Sequence, residues 1–375
     1  NSASITNVVG GHTNAGTANG NKIEIKSDFT STGGKTVIYV GHADRGEASG
    51  NKITIDEGAT VKAYGIDGGN SGGSTADVVS QANQNQVIIG GTVEVGLNVI
   101  GGSAAGSSTK SGTTANGNKV EVTATGSVKG DIRGGYNVYG SADSNIVDVA
   151  GTITGTLYGG YSNNLGGGIG NANNNKVTVS GTVNSPASSV KEISGGYSIM
   201  GSALRNELEI TGTVNVNTYG GKAGYVGGNS GNASENTISI SSSGSIVGNV
   251  FGGSAAEGST DNNTVQIKDS GTVRGSVYGG WTPSTTGSAS SNTVELDTDQ
   301  NVTGGVYGGY AQGTASGSGD ASSNKVIVSS GSIGGAVYGG VAGKGNADSN
   351  SIVIAGGSIG NNIYGGYTSG SGTAN

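Results

Sequence analysis

Apolar residues in this chain come in short alternating runs, each opened by an Asn. Val265 and Ile267 stand two and four positions after Asn263, and Leu208 and Ile210 stand likewise after Asn206. Alternation with period two predicts a short β-strand with one apolar face, and the Asn shares that face. The opening recurs at Asn21, Asn51, Asn85, Asn118, Asn145, Asn175, Asn206, Asn236, Asn263, Asn292, Asn324 and Asn350. A step of about 30 residues marks a stack of supersecondary units rather than an ordinary globule. Nowhere does the chain carry the i, i+3, i+4, i+7 spacing of an amphipathic helix.

A second alternating run comes later in each unit. In "GTVRGSVYGG" the inward set is Gly271, Val273, Gly275 and Val277, and the unit closes on the pair Gly279 and Gly280. The chain then returns through Gly, Ser, Thr and Asn to the next unit by way of Ala-x-x-Asn, as at Ala233 and Ala289; only the Asn263 unit lacks that Ala. A small residue at a fixed place predicts a crowded turn, and the varying loop length predicts extra residues along one edge. An inward Asn repeated in stacked coils can pair its amide with the amides above and below. The expected fold is therefore all-β: a parallel β-solenoid of about 12 coils of roughly 30 residues, with residues 1–375 as one repeat domain. A β-propeller is the main alternative, but its blades take about 40 residues or more.

Composition narrows the function classes. Gly supplies 78 residues and Pro only 2, without the strict three-residue period of collagen. Charged residues are 11% of the chain, the net charge is −7, and no Lys/Arg run is present, which argues against nucleic acid as a partner. No stretch has the ~20 apolar residues that span a bilayer, so this piece is not expected to be membrane-embedded. The absence of Cys removes disulfides, thiol catalysis and Cys-ligated zinc. The chain starts at "NSASITNVVGG" and ends at "SGSGTAN", and reads as a piece cut from something longer.

Aromatic residues occupy two slots around the Gly pair. The residue before it is aromatic at Tyr39, Tyr158, Tyr219, Phe251, Tyr278, Tyr307, Tyr338 and Tyr364. The residue after it is aromatic at Tyr136, Tyr161, Tyr197, Trp281, Tyr310 and Tyr367. His12 and His42 fall in the second slot, so they read as planar fillers of the repeat rather than metal ligands or catalytic bases. The Tyr side chains point away from the core, either as a supporting ladder or as an exposed stripe that binds sugar rings or protein. The candidate ligand-binding residues are Tyr158, Tyr278, Trp281, Tyr307, Tyr310, Tyr338, Tyr364 and Tyr367. Glu295, Asp297 and Asp299 alternate on one strand face, but glycoside hydrolysis needs carboxylates set across a cleft, so no catalytic residue, metal or cofactor is assigned.

A cysteine-free, acidic repeat carrying Asn-x-Val-x-Val and Val-Tyr-Gly-Gly resembles the passenger region of bacterial autotransporter adhesins. The resemblance extends over nearly the whole chain at the level of the repeat. It implies a right-handed parallel β-helix displayed at the bacterial surface or outside the cell, not an enzyme. The expected partner is a host surface protein or glycan, or another copy of the chain. A β-helix enzyme acting on polysaccharide and a purely structural stalk are the alternatives.

Overall fold

The computed structural model describes residues 7–31, 36–72, 79–106, 112–163, 169–184, 192–224, 231–283, 286–313 and 319–375. These residues are all-β with no helix, wound as a parallel β-solenoid of about 11 turns of roughly 30 residues. They fall into two compact units of the same construction, residues 1–191 and 192–375. The longer return loops lie largely outside the described residues.

One coil of the second unit shows the design. Thr264–Asp269, Thr272–Val273 and Val277–Thr282 form its three strands. Each pairs in parallel with its counterpart in the next coil: Val265 with Val294, Val273 with Val302, and Val277 with Val306. The period-two pattern is what buries one face, and Val265, Ile267, Val273 and Val277 are fully buried. Gly275 departs from the expected inward set. The second strand stops at Val273, and Gly275 sits half-buried in a bend before Val277. In the first unit the bend is smoothed at two coils, where Thr92–Ala105 and Ser127–Asn137 run as long strands.

The Asn residues form the ladder that the alternation implies. Asn51 Nδ2 donates to Asn85 Oδ1 at 3.0 Å, and Asn85 and Asn118 pass the bond on at 3.0 Å each. In the second unit Asn206, Asn236 and Asn263 repeat it at 2.9, 3.0 and 3.0 Å. The backbone N–H of each Asn donates to the same oxygen, as Asn263 does to Asn292 at 2.9 Å. The ladder explains the Gly pair. A Cβ on Gly280 would lie 2.6 Å from Asn292 Nδ2 and would also meet the Thr260 carbonyl; one on Gly279 would lie 2.8 Å from Asn292 Cβ. The third strand can cross the ladder only where it has no side chain.

The return turn is crowded, as the small residue predicts. Ala203, Ala233, Ala289, Ala321 and Ala347 are buried at or near zero exposure, and Thr260 takes their place in the Asn263 coil, also fully buried. The backbone of this turn carries a feature that side-chain patterning does not announce. The residue before every ladder Asn is left-handed: Gly20, Gly50 and Gly117 in three coils, but Gln84 (φ 56°), Arg205 (φ 53°) and Ser291 (φ 58°) among the rest. A non-Gly residue pays about 1–2 kcal/mol there. Ser291→Gly is therefore expected to gain about 1 kcal/mol, read as a rise in the denaturant midpoint; an unchanged or lower midpoint would show that the turn stores no such strain.

Candidate functional site

The outward side chains of the third strand make the chain's most distinctive surface. In the second unit the slot before the Gly pair holds Tyr219, Phe251, Tyr278, Tyr307, Tyr338 and Tyr364 in continuous register. Ring centroids succeed one another at 4.8, 5.0, 4.7, 5.0 and 4.9 Å, with planes within 12° of parallel. The spacing matches the inter-strand distance of a sheet, so the stack arises from register alone. Trp281, Tyr310 and Tyr367 border it at an angle: Tyr310 meets Tyr307 edge-on at 5.7 Å, and Tyr367 meets Tyr364 at 5.8 Å.

This geometry decides what the stripe can offer. The faces of Tyr278, Tyr307 and Tyr338 are taken by one another, leaving ring edges and hydroxyls. Burial raises the Tyr278 and Tyr338 hydroxyl pKa and pushes Tyr307 up to about 12, with neighbouring Tyr hydroxyls adding to the effect. These phenols stay neutral donors. The flanking Trp281 and Tyr310 are half-buried, and Tyr367, in the last coil of the sequence, is 42% exposed. Seven of the eight candidate residues thus come together on one face. Tyr158 does not: it lies in the first unit, 8% exposed, tilted against Tyr161.

The same slot is broken in the first unit. Between Tyr39 and Tyr158 it holds Asp67, Ile100 and Arg133, in register with one another. A reading of the slot for aromatics alone passes these three over. Their position marks them all the same, since each directly precedes a Gly pair.

The other candidates hold ordinary places. His12 pairs with His42 in register, and their rings stack at 5.2 Å, as planar fillers would. Asp44 reaches both, 3.4 Å from His12 Nε2 and 3.0 Å from His42 Nε2, and the three ligand atoms lie within 4.8 Å of one another. The spacing suits a divalent metal, but the rings are only 14° from parallel, so their lone pairs run side by side. Binding at His42 Nε2 would also leave a proton on Nδ1, which is buried and has no partner. Glu295 and Asp297 share a strand face and bond to Gln266 at 2.9 Å and Ser330 at 3.1 Å, while Asp299 lies past the strand's end at Thr298. The nearby cavity along Asn301, Ser332 and Ser358 contains no carboxylate. No helix among the described residues is long and apolar enough to cross a membrane. No protein-family model matches the chain, and it has no match among curated proteins or solved structures.

Proposed function

We propose that this chain is the β-solenoid passenger of a bacterial surface adhesin. On this reading it sits at the cell surface or outside the cell and attaches to a host surface protein or glycan through the aromatic face of its second unit. The observation that carries this is the continuous aromatic row from Tyr219 to Tyr364, bordered by the partly exposed Trp281, Tyr310 and Tyr367, in a chain with only 5% aromatic residues. Concentrating scarce aromatic area on one face is what recognition needs, because Tyr and Trp offer flat apolar area and a polar tip at low entropy cost.

The test separates the bordering rings from the stack. Immobilised chain is expected to capture host cells or arrayed glycans, and the triple variant Trp281→Ala, Tyr310→Ala, Tyr367→Ala to lose about tenfold or more of that capture. Its unfolding midpoint should stay near that of the parent. Tyr307→Ala with Tyr338→Ala should weaken capture too, but with a loss of stability, because it opens the stack. A second reading, a structural stalk, draws on the observation that the stacked faces serve one another. Absence of capture on every surface tested would favour it, and turnover of any polysaccharide would overturn both.

A further inference from the structure

The break in the aromatic slot of the first unit is a cavity that holds an acid, Asp67, and a base, Arg133, with no ion pair between them. Asp67 and Arg133 each pair in register with Ile100, one on either side, so they stand two coils apart, about 10 Å along the stack. The slot after the Gly pair drops to Asn70 and Ser103 in the same two coils, with His42 before them and Tyr136 after. An aromatic wall thus opens for two coils and resumes. The opening is a cavity of about 280 Å³ lined by Tyr39, Asp67, Leu97, Ile100, Arg133 and Tyr136.

Neither charge has an ion-pair partner among the described residues. Asp67 is 8% exposed, and its one side-chain hydrogen bond there is from Asn70 Nδ2 at 3.0 Å. A carboxylate has about four acceptor sites, so most remain unused. Arg133 has no carboxylate of the described residues within 4.0 Å, and its Nε–H is buried with no acceptor. Its guanidinium lies 4.8 and 4.6 Å from the ring centroids of Tyr136 and Tyr161, which hold it without consuming its donors. Ile100 between them keeps Asp67 and Arg133 from closing on each other. The natural occupant carries an anion at one end and hydrogen-bond donors at the other, with an apolar body to lie on Ile100 and Tyr39.

We propose that this cavity binds an acidic monosaccharide unit, its carboxylate on Arg133 and its ring hydroxyls donating to Asp67. A phosphate fits less well, because one guanidinium must hold a dianion while Asp67 repels it. A neutral sugar leaves Arg133 unpaired. The cavity is separate from the aromatic face of the second unit, and binding at either can fail without the other.

Titration of the whole chain with glucuronate, galacturonate and N-acetylneuraminate, monitored by ligand-observed NMR and calorimetry, tests it. At least one acid is expected to bind with Kd of about 1 mM or tighter, with glucose and galactose at least about tenfold weaker. Arg133→Gln should lose about tenfold or more, since the charge-assisted bonds go. Gly65→Leu is the second variant. It lines the cavity, and a Cβ there meets only Asn98 O at 3.4 Å and Val37 Cγ1 at 3.7 Å, so a side chain can be introduced into the space from a position that carries neither charge. It should abolish binding while circular dichroism and melting stay those of the parent. Equal affinity for acidic and neutral sugars, undiminished binding by Arg133→Gln, acetate binding as tightly as the sugar acids, or no binding up to about 20 mM would each overturn the proposal.

Discussion

Replacing Asn263 by Ala is expected to destabilise the second unit by about 4 kcal/mol. Asn263 Oδ1 accepts two bonds from the coil before it, Asn236 N–H and Asn236 Nδ2, both at 3.0 Å. Its own Nδ2 donates to Asn292 Oδ1 at 3.0 Å, and the residue is fully buried. Alanine leaves two donors of Asn236 without an acceptor where water does not reach, and each such orphan costs about 1–3 kcal/mol. The emptied volume adds to that, because Gly252 and Gly253, which pack against Asn263, have no side chains with which to fill it. Asn263→Asp keeps the acceptor but turns a second carboxylate oxygen on Asn292 Oδ1, so it should be no better. Denaturant unfolding reads the effect directly, with Ser291→Gly as a partner variant that moves the midpoint the other way. A loss below about 1 kcal/mol would mean that the ladder is only a by-product of stacking.

That ladder is the most legible part of the molecule. Asn and two alternating apolar residues repeat twelve times in the sequence and a Gly pair closes eleven of those units, Val40 replacing the first Gly in the other; a physical constraint that recurs along the stack leaves its mark along the stack. The same logic covers the return Ala and the outward Tyr of the third strand. It fails where the constraint is on the backbone alone. The left-handed residue before each Asn is Gly in some coils and Gln84, Ser291 or Arg205 in others, because the surrounding bonds hold φ positive whatever the side chain. Gly275 escapes the inward set because a bend between two strands breaks the count of two. Ring exposure is beyond the sequence altogether: Tyr158 and Tyr278 both directly precede a Gly pair, yet one is 8% exposed and the other half-buried. The cavity between Asp67 and Arg133 is a departure from the repeat, and only the repeat makes the departure visible.

Asp67→Asn is expected to stabilise the first unit by up to about 4 kcal/mol at pH 8 and to change little at pH 4. Burial raises the Asp67 carboxyl from its ordinary 3.8 to about 7, against the lowering influence of the Asn70 hydrogen bond and the Arg133 charge. Below pH ~4 the carboxyl is protonated in both the folded and unfolded chain and contributes no pH dependence. As pH rises from about 4 to 7 the unfolded chain releases the proton and the folded chain keeps it, so the unfolded state binds fewer protons and stability falls. The fall is about 1.4 kcal/mol per pH unit and levels off once the folded carboxyl ionises as well, near pH 7. Over that window the parent loses about 4 kcal/mol that the Asn variant retains, since Asn accepts the Asn70 bond but carries no charge to desolvate. The sign is the reverse of a salt-bridged Asp, whose contribution is lost in acid. Melting curves of parent and variant at pH 4, 5.5, 7 and 8 should therefore coincide at the acid end and part as pH rises. Curves that stay parallel would mean that Arg133 neutralises Asp67 across Ile100 after all.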